Sequence, residues 1–173
     1  MKTKIFACIG NRKTPKQALA NMKVVLEKLK ADGWEATSGG ARFGPDKLAE
    51  VVMHDKITIY KPEHATCEAI ELASKYHRAW DKCNEWVRTA HGRNAMIVLG
   101  VQLDCPVDFV LCWTPEGKVT GGTGMGIRIA VDHKIPVFNM GDPKWKDEVQ
   151  KWKKEPDNYR QWIDKETEAV WAC

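Results

Sequence analysis

Lys4-Ile5-Phe6-Ala7-Cys8-Ile9-Gly10-Asn11-Arg12-Lys13-Thr14-Pro15 runs from an apolar segment of strand length, through a glycine turn, to a proline. Residues 4–9 read as a first β-strand. Pro15 suits the opening of a helix, where its missing N–H would be unpaired anyway. Leu19, Met22, Val25, Leu26 and Leu29 then recur at helical spacing. Strand, tight turn and helix make the first half of a βαβ unit, so a parallel sheet covered on both faces is expected.

The rest of the chain repeats the alternation. Asp32-Gly33 ends the helix, residues 34–37 begin a second strand, and residues 45–54 form a short helix with Leu48, Val51 and Val52. Residues 57–60 read as a third strand, stopped by Lys61-Pro62. Residues 63–90 are helical, with a break expected near Tyr76-His77, and residues 96–103 are apolar and fit either helix or strand. Residues 107–112 are a fourth strand, 123–133 a helix and 136–139 a fifth strand. Right-handed crossovers then make 3-2-1-4-5 the economical strand order. The fold class expected is α/β: a Rossmann-like three-layer sandwich with a mostly parallel five-stranded sheet and a helical C-terminal tail.

That order gathers three glycine turns at the carboxyl edge of the sheet, where ligands bind in such folds. They are Gly10-Asn11-Arg12, Ser38-Gly39-Gly40-Ala41-Arg42 and Gly121-Gly122-Thr123-Gly124. Glycine lets a ligand approach the backbone closely, and a helix N-terminus offers free N–H groups and positive partial charge. Arg12, Arg42 and Arg93 add guanidinium forks suited to a phosphate, with Asn94 beside the last. Ser38 can donate to a phosphate or a sugar hydroxyl. Asp46 either stabilises the first turn of its helix or holds a ribose hydroxyl. Arg93 either clamps a phosphate or sits solvated in a loop. Trp113 is a candidate for stacking on a base.

The usual fingerprints fail. Gly121-Gly122-Thr123-Gly124-Met125-Gly126 is not G-x-G-x-x-G, and no Gly-Lys-Ser/Thr of a P-loop exists. There is no G-x-S-x-G elbow, and the histidines at 54, 64, 77, 91 and 133 fall on helix-like surfaces. The six cysteines lack paired C-x-x-C spacing, so no metal is expected, and Cys8 and Cys112 read as buried free thiols. No cofactor is implied.

At 173 residues the chain can bury a real core, and its 43% hydrophobic and 29% charged content is ordinary for a globular protein. The net charge of +4 fits an anionic small ligand and permits nucleic acid, without the basic excess of a dedicated binder. No signal peptide and no membrane span are visible, so the cytoplasm is the expected location. Residues 1–140 are expected to form the ligand-binding domain. Residues 141–173, with Trp145, Trp152, Trp162 and Trp171 among lysines and acids, read as a helical extension packed on that domain or on a dimer partner.

At these motifs the chain resembles the SLOG superfamily, the Rossmann-like group that unites DprA/Smf proteins with LOG-type nucleotide phosphoribohydrolases. Gly10-x-Arg12-x-x-Pro15 is similar to the family's opening G-x-R-x-x-P. Ser38-Gly39-Gly40-Ala41-Arg42, followed by Asp46 and Ala49-Glu50, is similar to the DprA-type S-G-G-A-x-G-x-D-x-x-A-H/E. Arg93-Asn94 resembles the R-N element, and Gly122-Thr123 with Ala130 and Ile135-Pro136-Val137-Phe138 resembles the closing segment. The resemblance covers residues 4–140 in order, and its texture is similar to small members encoded by bacteriophages, whose location would be the host cytoplasm.

The resemblance implies three readings. The first is binding of a nucleotide or nucleotide-derived small molecule, as a sensor or sequestering protein and as a homodimer. The second is LOG-like hydrolysis of the N-glycosidic bond of a nucleoside monophosphate, by an arginine and the glutamate of P-G-G-x-G-T-x-x-E. Aligned on that motif, the chain has Arg128 or Gly126 at the glutamate's place, which leaves Arg93 and Glu116 as the catalytic candidates. The third is DprA-like binding of single-stranded DNA. The sequence favours a binding protein over an enzyme.

Overall fold

The computed structural model describes residues 3–156; Trp162, Trp171 and Cys173 lie outside the described residues. Strand β1 (Ile5–Gly10) sits at the centre of the sheet. Its side chains alternate as a strand requires: Phe6 and Cys8 enter one core, while Ala7 and Ile9 enter the other. Strand β4 (Phe109–Trp113) does the same, with Phe109 and Leu111 on the first side and Val110 and Cys112 on the second. Both strands are buried on both faces, which explains why their residues form continuous apolar runs.

With β2 (Glu35–Ser38), β3 (Ile57–Ile59) and β5 (Val137–Asn139), these strands form one five-stranded sheet in the order β3-β2-β1-β4-β5. Every pairing is parallel, from Phe6 opposite Ala36 to Val110 opposite Val137. This is the α/β three-layer arrangement and strand order expected from the alternation of elements. Helices α1 (Lys16–Ala31) and α2 (Pro45–Met53) cover one face through Met22, Leu26, Ala49 and Met53. Helices α3 (Cys67–Ser74), α4 (Glu85–Leu99) and α5 (Gly121–Asp132) cover the other.

The long helical stretch does break where the sequence places the break. Helix α3 is capped by Thr66, whose hydroxyl accepts from the Ala69 N–H at 3.2 Å, and α4 by Asn84, which accepts from the Val87 N–H at 2.9 Å. Between them Tyr76 is buried and donates its hydroxyl to Asp132 of α5. His54, His64 and His133 are exposed as expected, whereas His77 and His91 are half-buried beside Trp80.

The ambiguous segment 96–103 resolves as the end of α4. Met96, Ile97, Val98 and Leu99 are all buried, the condition in which a helix becomes apolar all round and its periodicity disappears. Gly100, at φ 79°, ends the helix. Arg93 therefore lies inside a helix, not in a loop.

Of the expected tail, residues 145–154 form α6 (Trp145–Lys154). Trp152 packs with ring centroids 5.6 Å from Phe109 and 5.4 Å from Phe138, continuing an aromatic cluster in which Phe6 stacks on Phe109 at 5.3 Å. Among the described residues no helix is long and apolar enough to cross a membrane. Because Trp152 is half-buried, Trp152→Ala is expected to cost about 2 kcal/mol, short of the 3–5 of a fully buried aromatic. Urea denaturation of the two proteins measures it; an unchanged midpoint would show that α6 adds nothing to the fold.

Candidate functional site

Three turns leave the carboxyl ends of β1, β2 and β4 and meet where the strand order reverses direction. The turn after β1 is fixed by hydrogen bonds within it and to β4. The Asn11 N–H donates to the Trp113 carbonyl at 3.1 Å, and the Lys13 N–H donates to Asn11 Oδ1 at 2.8 Å. Thr14, buried, donates both its N–H and its hydroxyl to the Asn11 carbonyl. The turn thus holds Arg12 and Lys13 at the lip of a cleft, both side chains exposed.

The turn after β2 packs tightly. Arg93 of α4 donates through Nη1 to the carbonyls of Gly39 and Tyr60, the latter at 3.2 Å, and through Nε to Asn94 Oδ1 at 3.1 Å. A Cβ on Gly39 would lie 2.5 Å from that same Nη1, so only glycine admits the guanidinium here. Arg93 does not stand free as a clamp; it ties the ends of β2 and β3 to α4 while still lining the cleft. Burial draws its pKa below the ordinary range for arginine, yet the group stays charged at neutral pH.

At the floor, Ser38 is fully buried and donates its hydroxyl to Asp46 Oδ2 at 3.2 Å. Asp46 lies in the first turn of α2 and is itself buried. Burial raises its pKa to about 6, against the opposing pull of Ser38, Arg93 and Arg12.

The third turn opens α5. The Gly124 N–H is bonded to the Thr120 carbonyl at 2.9 Å, so the N–H groups of Gly121, Gly122 and Thr123 belong to the open first turn. Thr120 provides no side-chain cap. A Cβ on Gly121 or Gly122 would meet nothing within 4 Å, and both residues face the cleft. Asn94 donates through Nδ2 to the Gly122 carbonyl at 3.3 Å, so neighbouring residues of α4 reach two of the three turns.

The cleft enclosed by these turns has a volume of about 410 Å³. Of the residues singled out from the sequence, Gly10, Arg12, Gly39, Asp46, Arg93, Asn94, Gly121, Gly122 and Thr123 line it. Gly40 and Arg42 instead line an adjoining groove of about 390 Å³, which shares Arg12, Gly39, Ala41 and Arg93 with the cleft. Ser38 acts from beneath through Asp46, and Gly124 is buried behind the helix opening.

Two expected residues lie elsewhere. Trp113 is half-buried and packs with the aromatic core on the α1 side, so it is not placed to stack on a ligand in the cleft. Glu116 stands on an exposed turn (Pro115–Gly117) and pairs with Lys118, which holds its carboxyl below the usual range. It does not line the cleft that Arg93 lines. Asn11, Lys13 and Thr120 also line the cleft and carry no role in the sequence analysis; Asn11 and Thr120 each adjoin a glycine of the singled-out turns, and Lys13 follows Arg12.

No protein-family model matches the chain, and no curated protein sequence does. Among solved structures it is similar to DNA processing protein A from Helicobacter pylori, at a TM-score of 0.54 and 15% identity. The match covers 96% of this chain and 81% of that one, and that structure is described as having a unique single-stranded DNA binding mode. At this identity the likeness establishes a shared Rossmann-like fold, in line with the expected DprA-like architecture.

The raised pKa of Asp46 bears on stability. A carboxyl that ionises near 3.8 when unfolded and near 6 when folded favours the fold while protonated. That contribution is complete below about pH 3.8 and is lost as pH rises through about 6. Asp46→Asn is therefore expected to melt with the native protein near pH 4 and to exceed it at pH 7, by up to about 3 kcal/mol. Thermal melts across this range test it; an equal difference at both pH values would show that Asp46 is not buried as charged.

Proposed function

We propose that the cleft binds the phosphate groups of single-stranded DNA. The observation that carries this reading is the open N-terminus of α5, with Gly121 and Gly122 bare toward a cleft also lined by Arg12, Lys13 and Arg93. Helix N–H groups and guanidinium forks are what a phosphate oxygen requires. The groove of Gly40 and Arg42 adjoins the cleft and shares Arg12 and Arg93 with it, which suits a chain of nucleotides better than a single one. The likeness to a DNA processing protein described as binding single-stranded DNA supports the same choice.

The second reading is a free nucleotide or nucleotide-derived small molecule, bound by a sensor or sequestering protein of the small, bacteriophage-type SLOG kind. The size of the cleft, about 410 Å³, favours it. In both readings the glycines of α5 cradle phosphate, and the protein acts by binding.

Gly122→Val is the direct test, since its side chain would enter open space and leave the fold intact. We expect at least a tenfold loss of affinity for a labelled oligothymidylate with an unchanged melting temperature; unchanged affinity would remove the glycine cradle. Neutralising about three phosphates predicts a slope near −2 in log affinity against log salt. Thymidine monophosphate that displaces the oligonucleotide at equal molar concentration would favour the second reading.

The buried acid gives a further expectation. Phosphodiesters do not titrate near neutrality, whereas Asp46 loses its negative charge below about pH 6. Oligonucleotide affinity should therefore rise as pH falls through 6, and Asp46→Asn should bind tightly throughout and flatten the profile. A profile shared by both proteins would assign the pH response elsewhere.

A further inference from the structure

The groove beside the cleft contains two large aromatic side chains that the core does not use. Phe43, in the turn between β2 and α2, is 68% exposed, and Trp86, in the first turn of α4, is 64% exposed. Both line the same groove as Arg12, Arg42, Pro62 and Arg93. Among the described residues no carboxylate lines it. Folding gives no reason for these rings to face water, because each could be polar at no cost to either hydrophobic cluster.

Resting on the proposed binding of single-stranded DNA, we infer that Phe43 and Trp86 form a stacking platform for bases next to the phosphate-binding cleft. Flat rings offer a face to any base, and stacking of this kind tolerates sequence. The groove's guanidinium groups supply the charge that a bare apolar patch would lack, and they make a polyanion the complementary occupant. Spacing along α4 supports the order of events on the surface. Trp86 and Arg93 are seven residues apart, two helical turns, so they share a face about 10 Å apart along the axis. A phosphate held near Arg93 thus leaves Trp86 beyond the reach of its own base and within reach of a neighbouring nucleotide's. The platform makes the site a reader of a chain and not of one nucleotide, without selecting among bases.

The test compares two probes that carry the same charge: a labelled twelve-residue oligothymidylate and a twelve-unit abasic phosphodiester chain. Phe43→Ala and Trp86→Ala should each weaken oligothymidylate binding about tenfold. Neither should alter affinity for the abasic chain, and Trp86→Phe should retain most of the native affinity. Gly122→Val should weaken both probes alike, which separates the platform from the phosphate cradle. If the native protein binds oligothymidylate and both alanine variants bind it equally well, the platform is wrong while the cradle stands. If the native protein binds neither probe, the platform and the DNA reading fall together. Should the double variant Phe43→Ala/Trp86→Ala convert a dimer to a monomer in sedimentation with DNA affinity unchanged, the groove is an interface between copies and the proposal is overturned.

Discussion

Strand β1 is paired along both edges, to β2 and β4, and buried on both faces, so every other element is positioned relative to it. A strand so enclosed can only be apolar throughout, and Phe6, Ala7, Cys8 and Ile9 meet that demand with side chains of very different size. Phe6 stacks on Phe109 toward α1, whereas small Ala7 lets α4 and α5 approach on the other side. Parallel pairing then obliges each crossover to pass over a face and return at the same end. The turns that leave the carboxyl end thus collect around one opening, with α4 forming its back wall. The site is a by-product of this topology, decorated by the residues that happen to occupy the turns.

Those turns show how charge is balanced in a tight space. Arg93 is held by two carbonyls and by Asn94, and these hydrogen bonds are what allow a guanidinium to be mostly buried. Asp46 has weaker support, a single hydroxyl at 3.2 Å, and its proton is retained to about pH 6. An opposing carboxylate at the floor lowers the net positive potential of the cleft when ionised. It also makes that potential responsive to pH near neutrality.

Much of this was legible in the sequence because the α/β alternation is written in punctuation: Gly10 with Pro15, Asp32-Gly33, Lys61-Pro62, Pro136. Strand order followed from handedness and economy, and the three glycine turns followed from strand order. What escaped the reading did so for identifiable reasons. Residues 96–99 are buried on all sides, which erases helical periodicity, so the sequence does not show that Arg93 lies in a helix, two turns before the end of α4. Trp113 follows the alternation of β4 into the aromatic core, a direction that depends on which neighbour claims the face. Phe43 and Trp86 were silent because exposure is set by three-dimensional surroundings, and nothing local marks an aromatic residue as unclaimed by the core.

The contact between Gly39 and Arg93 has a consequence for how this sequence can drift. The absence of one side chain and the presence of another occupy the same volume, so neither position is free to change alone. Enlarging Gly39 first displaces the guanidinium and strands the Gly39 and Tyr60 carbonyls. Shortening Arg93 first opens a space that a larger residue at 39 could then enter. The two routes to the same double substitution therefore pass through different intermediates, one overpacked and one with a void, a path dependence encoded in a few ångströms of packing.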